Sequence, residues 1–201
     1  MLVTFYGVRG SIAAPGPSTI KYGGNNSCVH VRLNTGNNLI FDAGTGIRKL
    51  GMKLKQNDEL LLLLLSHGHW DHIQGYPFFD PIYQPGREIL VCQGVESNAI
   101  ALKAILEQMD ESNFPVHAED LPSKITTVQQ VDEYLTAQSF NTVRKDINHP
   151  GGGNAYRIEE DGVSIAYITD NELDPPGAPQ TTYYQWVEFC RGVNLLIHDA
   201  Q

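Results

Sequence analysis

Six consecutive leucines at residues 60–65 run directly into the heptapeptide SHGHWDH at 66–72. Leucine alone is ambiguous because it favours helices. The run is bounded by QND and SHG, and that length fits a strand buried on both faces of a sheet. The heptapeptide is anything but apolar: it holds three histidines and an aspartate within six residues. Packing gains nothing from four crowded polar groups, which are costly to bury without partners. A divalent cation supplies the missing partner, and Zn²⁺ takes imidazole nitrogen and carboxylate oxygen at roughly 2.0–2.2 Å. His67 and His69 are two apart, so in an extended segment both point the same way and can grip one ion. Gly68 between them leaves the backbone free to bend. Asp71 and His72 are adjacent where the chain turns into a helix, so they diverge from the first pair and suit a second ion. Ligand sites in α/β sheets gather beyond the carboxyl ends of strands, where this cluster sits.

The rest of the chain reads as strands at 2–8, 27–33, 38–43, 87–93, 124–128, 141–147, 156–159, 163–169 and 194–197. Alternation in 27–33 leaves open which face meets the core. Amphipathic helices are expected at 46–55, 96–109 and 181–190, with helical turns at 73–79 and 131–137. NTGNN marks a hairpin, and EEDG carries the signal of a type I′ turn. Most strands are joined by tight turns, so mixed sheets with helices outside are expected: an α/β sandwich. The Gly/Pro-rich loop at 9–26 is long for a compact domain, a length that hints at function.

A chain of 201 residues suffices for one domain, 1–201, with a sizeable core. With 41% hydrophobic and 18% charged residues it is neither disordered nor collagen-like. The net charge of −9 argues against an extended nucleic acid as partner, since that needs a broad basic footprint. Bound divalent ions would offset the charge locally and admit a small anionic substrate. Cys28, Cys92 and Cys190 are odd in number and form no CxxC, which suggests reduced apolar fillers in a cytoplasmic protein. The N-terminus reads as a strand rather than a signal peptide. No apolar stretch reaches the roughly 18 residues of a membrane span.

HGHWDH has the form HxHxDH, and it stands in order with FDAGTG around Asp42, NHPGGGNAY around His149, AYITDNE around Asp170 and LLIHDAQ at the end. On these blocks the chain resembles the metallo-β-lactamase-fold hydrolases, over nearly its full length. The resemblance implies a four-layer αββα sandwich with two divalent metal ions in a cleft at one sheet edge, zinc ahead of manganese or iron. It implies that His67, His69 and His149 hold the first ion, that Asp71 and His72 hold the second, and that Asp170 bridges both. The family's usual last histidine ligand lies beyond a HDAQ block, and the sequence stops at Gln201. The expectation is therefore a shortened domain, lacking the last elements, with a less complete second site.

Within the family, YGVRGSIAAPGPSTIKYGGNNSC and HDAQ are most similar to the ribonuclease Z-like and cyclic-phosphate phosphodiesterase branch. Residues 95–123 hold six acids and one base, Lys103, which repels RNA. A small cyclic nucleotide or cyclic phosphate diester is the expected substrate. A metal-binding but catalytically impaired sensor or subunit, and an RNA-processing endonuclease, are the alternatives. Two cations about 3.5–4 Å apart activate a water and clamp the oxygens of the group attacked. Asp170 and Asp71 are the candidates for organising that attack, and His198, beside Asp199, for protonating the leaving oxygen. A homodimer would cover an unpaired sheet edge. PGGG at 150–153 is either an amide cradle for phosphate or a turn, and Arg9 and Lys21 are read as solvated loop charges. His30 and His117 read as structural or exposed, Trp70 as a cover for the helix turn, and Tyr183, Tyr184 and Trp186 as packing residues.

Overall fold

The leucine run forms β4 (Leu61–Leu64), and its side chains point alternately into two different cores. Leu61, Leu63 and Leu65 pack with Ile47, Leu50, Ile89, Val91 and Ile105. Leu62 and Leu64 pack with Val29, Phe41, Tyr156, Ile158 and Tyr167. All five leucines are at most 1% exposed, and burying each stabilises the fold by roughly 1.5–3 kcal/mol. A strand with two apolar faces is what a position between two of the apolar seams requires. The structure is a computed structural model that describes residues 1–54, 59–92, 99–128, 134, 137 and 140–199.

β4 is an inner strand of a six-stranded sheet with sequential order. Its other members are β1 (Leu2–Gly7), β2 (Cys28–Arg32), β3 (Asn38–Phe41), β5 (Glu88–Cys92) and β6 (Lys124–Val128). The first three strands are antiparallel, and β3 to β6 run parallel. A four-stranded sheet holds β7 (Asn141–Asp146), β8 (Asn154–Glu160), β9 (Val163–Ile168) and β10 (Leu195–His198) in the order β10-β9-β8-β7. Here β10 lies parallel to β9 and the other pairs are antiparallel.

Helices α1 (Ile47–Leu54) and α3 (Ala99–Glu107) cover the outer face of the large sheet. Helix α4 (Tyr183–Cys190) covers the outer face of the small one, through Trp186 and Phe189 against Ala155, Ala166 and Ile168. The sheets meet along the second seam. The layers are thus α, β, β, α, the expected sandwich of mixed sheets.

Several local expectations hold. Asp161 and Gly162 have φ of 52° and 75°, as a type I′ turn between β8 and β9 demands. Strand β2 settles its two readings by burying both faces, with His30 paired to Asn38 at 2.9 Å in the interior. Burial raises the thiol pKa of Cys28 well above its ordinary value and that of Cys92 to about 12, as apolar fillers should show.

Others need correction. The helical turn expected at 73–79 starts earlier, as α2 (Trp70–Ile73), with a separate 3₁₀ turn after it at Tyr76–Phe78. Tyr183 and Tyr184 do not pack; they are exposed, because α4 buries only the face carrying Trp186 and Phe189. Trp70, expected as a cover for the helix turn, stands 78% exposed. The start of the helix expected at 96–109 and most of the turn expected at 131–137 lie outside the described residues. Among the described residues no helix is long and apolar enough to cross a membrane.

Candidate metal centre

The polar cluster lies where four strands end. β3 delivers Asp42, whose backbone turns into the left-handed region at φ 60°; aspartate tolerates this better than most residues. Asp42 is fully buried and anchors the loop after β4. It accepts the Ser66 amide at 2.7 Å, the Ser66 hydroxyl at 2.8 Å, the Tyr167 hydroxyl at 2.7 Å and Nδ1 of His72 at 2.7 Å. With Nδ1 of His72 committed to Asp42, Nε2 is the nitrogen that faces the site, as in carboxylate-oriented metal histidines.

β4 delivers the histidines. His69 stays extended, at φ −69° and ψ 153°, and is the residue before α2. His67 therefore lies on the same side, with its Nε2 3.0 Å from Nδ1 of His69. The helix then carries Asp71 and His72 to the adjoining position, as the spacing predicts. The amide of Ser11, from the long N-terminal loop, donates to Asp71 at 2.8 Å and ties that loop to the cluster.

The small sheet supplies the rest. His149 comes after β7, and its Nε2 is 3.0 Å from Nδ1 of His69. Asp170 comes after β9 at φ 53°, a second aspartate in the left-handed region at a strand end. Asn148 clamps the two loops together. Its amide donates to Asn171 at 3.0 Å, and its side chain donates to the carbonyls of Glu172 and Thr181. Gly153 lets the loop approach: a Cβ there would lie 2.9 Å from the Ser66 carbonyl and 3.0 Å from Cβ of His67.

One carboxylate oxygen unites the arrangement. Oδ2 of Asp170 lies 3.3 Å from Nε2 of His67, 3.3 Å from Nε2 of His72 and 3.7 Å from Nε2 of His149. Nε2 of His72 lies 3.5 Å from Oδ2 of Asp71. Two donor sets result: His67, His69, His149 and Asp170, and Asp71, His72 and Asp170. Ligands around a tetrahedral ion at roughly 2.0–2.2 Å stand about 3.4 Å from one another; the spacings of His69 from His67 and His149 are 3.0 Å, that of His149 from Asp170 is 3.7 Å, and the donor atoms of each set all lie within 4.8 Å of one another. The donor chemistry fits divalent cations.

The charges agree. Burial opposes ionisation of Asp170, but His67, His72 and Asp199 hold its carboxyl well below the usual range. Burial likewise opposes Asp71, and His72 with the Ser11 amide brings it down. Burial and the neighbouring His67 lower His69 and His149, favouring neutral rings with free lone pairs. Burial pulls His72 down, and the carboxylates of Asp42, Asp170 and Asp71 raise it well above its ordinary value. The cluster thus presents anionic carboxylates and, at His69 and His149, neutral imidazoles, the forms that bind metal.

The remaining candidates divide. His198 is exposed, and its Nδ1 contacts the carbonyl of Asp199; it belongs to neither donor set. Asp199 is nearer the centre, its carboxylate accepting the Asp170 amide at 2.5 Å. Burial and the nearby Asp170 carboxylate raise the Asp199 pKa. In PGGG, the Gly152 amide donates to the His149 carbonyl at 2.9 Å and Gly151 and Gly152 have positive φ, the geometry of a turn. Arg9 and Lys21 are exposed on the N-terminal loop, as expected. Sequence reasoning does not single out Ser11, Ser66, Asn148 or Tyr167. Ser66 precedes the motif in plain view, whereas Tyr167 meets Asp42 across 125 residues and has no local signal.

The family model described as Beta-lactamase superfamily domain matches residues 37–201. The fold is similar to that of human tRNase Z, short form (ELAC1), with a TM-score of 0.62 at 18% identity, covering 99% of this chain and 77% of that one. It is also similar to the metallo-beta-lactamase fold protein YhfI from Bacillus subtilis, with a TM-score of 0.60 at 19% identity, covering 96% of this chain and 69% of that one. No curated protein matches the sequence.

Proposed function

Since the chain belongs to the Beta-lactamase superfamily domain family, we propose that it is a metal-dependent hydrolase with a two-cation centre, filled by zinc or, failing that, manganese or iron. Its substrate on this reading is a small phosphodiester, a cyclic nucleotide or cyclic phosphate. The observation that carries it is the sharing of Oδ2 of Asp170 between the two donor sets.

His67, His69 and His149 would hold one ion, Asp71 and His72 the other, and Asp170 both. When bound, such a pair supplies an activated water and positive charge for the oxygens of the group attacked. The protein's own residues supply position. Asp42 fixes which nitrogen of His72 faces inward, the Ser11 amide holds Asp71, and Asp199 holds the Asp170 backbone. His198 would deliver a proton to the leaving oxygen from the carboxyl end of β10.

The net charge of −9 and the acid-rich 95–123 segment favour a small diester over an extended RNA. The likeness to a tRNase Z fold brings in the endonuclease as the second reading. A reducing compartment, the cytoplasm, suits the buried free thiols of Cys28 and Cys92. A homodimer would cover exposed sheet edges.

The test is hydrolysis of bis(p-nitrophenyl) phosphate by protein loaded with Zn²⁺ or Mn²⁺. Turnover should vanish with chelator and fall by at least about 100-fold in His69→Ala, a loss at or beyond that typical of disturbed metal shells. Turnover indifferent to both changes would refute the reading. Bound metal without turnover would leave the impaired sensor or subunit, and a gel shift of structured RNA at physiological salt would favour the endonuclease.

A further inference from the structure

A cleft of about 460 Å³ is lined by Gly68 and Trp70, the two chain neighbours of the candidate ligand His69, together with Phe78 and Phe114. Its size falls in the range of small-molecule sites, roughly 300–1,000 Å³. Gly68 and Trp70 flank His69, so the cleft and the candidate ligands share one stretch of backbone. Trp70 is 78% exposed and Phe78 54% exposed. An indole left in water contributes little to folding, so its placement between ligand residues calls for another use. Phe78 and Phe114 meet edge to face, with centroids 5.5 Å apart and planes at 90°, a pairing that leaves ring surface available for a further aromatic partner. The charged group on the wall is acidic, Glu107, which is paired with Lys103 at 3.3 Å. Among the described lining residues none is cationic, so the cleft offers a phosphate no partner and suits a flat, uncharged ring, leaving the phosphodiester to the cations that the neighbouring donor sets would hold.

We propose that Trp70, Phe78 and Phe114 seat the nucleobase of the substrate beside the metal centre. The proposal rests on the phosphodiesterase reading and narrows it from the pair of cyclic nucleotide and cyclic phosphate to the nucleotide. Trp70 and Phe78 are then specificity determinants: they hold the base while the phosphodiester lies over Asp170.

The chain has two tryptophans, and Trp186 is buried under α4. Trp186→Phe therefore leaves Trp70 as the sole indole reporter. The experiment titrates this metal-loaded variant with adenosine 5′-monophosphate and, separately, ribose 5-phosphate, tracking tryptophan emission. The expected result is saturable quenching by the nucleotide and none by the sugar phosphate. Phe78→Ala in the same background should weaken the apparent affinity at least about fivefold, the low end of what one base-stacking side chain contributes. Should Trp186→Phe fail to fold, the native chain and Trp70→Phe are compared; the nucleotide response should appear in the first and be lost in the second. Equal responses to the two ligands, no response, or an affinity unmoved by Phe78→Ala would overturn the proposal. So would a dimer in which Trp70 is already covered and silent to nucleotide. Nucleotide-specific quenching without diester turnover would keep the ring seat and remove the phosphodiesterase reading; turnover without such quenching would do the reverse.

Discussion

Asp42 accepts hydrogen bonds from two groups of Ser66, from His72 and from Tyr167. An asparagine could keep the left-handed backbone, but it would replace one acceptor oxygen with an NH₂ that faces donors. Asp42→Asn is therefore expected to lower metal affinity by roughly 10–100-fold, the usual effect of disturbing a ligand's orienting partner, as read by competition with a chromogenic chelator. Tyr167→Phe, which removes one donor and leaves the carboxylate, should have a smaller effect in the same assay. At this scale legibility depends on locality. His67, His69, Asp71 and His72 announce themselves through spacing alone, because imidazoles two apart on an extended chain must converge. Asp42, His149 and Asp170 stand out only through resemblance, since each is a single polar residue after a strand and nothing nearby in sequence says that they meet. Trp70 departs from its expected place as a cover for the helix turn, standing 78% exposed between exposed His69 and buried Asp71.

The elements holding these residues are β4 and the turns around it. Leu64 is fully buried in the seam between the sheets, so Leu64→Ala should destabilise the protein by roughly 2–5 kcal/mol in denaturant titration, the range for core leucines. Gly44 lies just past Asp42 at a crowded crossing, where a Cβ would lie 2.2 Å from the Asp71 carbonyl and 2.7 Å from that of Ser27. Backbone atoms cannot step aside as a side chain can. Gly44→Ala is thus expected to cost about 3 kcal/mol by overpacking, and to disturb the centre through Asp71. Strand positions are readable because the leucine run is too short for a helix and the hairpin signals are strong. The start of α2 is not, since His69 precedes it with no side-chain cap to mark the boundary. Tyr183 and Tyr184 stay exposed against expectation because one aromatic face of α4 suffices to cover a four-stranded sheet.

Across the whole molecule, three apolar seams fix the layers, and the polar end of the sandwich is where the two sheets bring their loops together. Charged pairs on the flanks add a pH dependence whose sign can be worked out. The bidentate contact of Arg32 with Glu59, at 2.6 Å for each oxygen, lowers the Glu59 pKa to about 2. Its folded-state value lies below the unfolded one of about 4.3, so the stabilisation is present above that value and lost as pH falls towards 2. Glu59→Gln should therefore lose stability relative to the native chain at pH 6, and the gap should close on acidification, as monitored by urea midpoints. Everything proposed for the centre depends on Asp170 joining two cation sites. Apoprotein equilibrated with excess Zn²⁺, freed of unbound metal and analysed for zinc per chain tests this most directly, with Asp170→Ala alongside. Two zinc ions are expected on the native chain, one for each donor set, with a loss of both or all but one in the variant; a native chain free of zinc, or a zinc content untouched by the substitution, would contradict the shared-carboxylate centre.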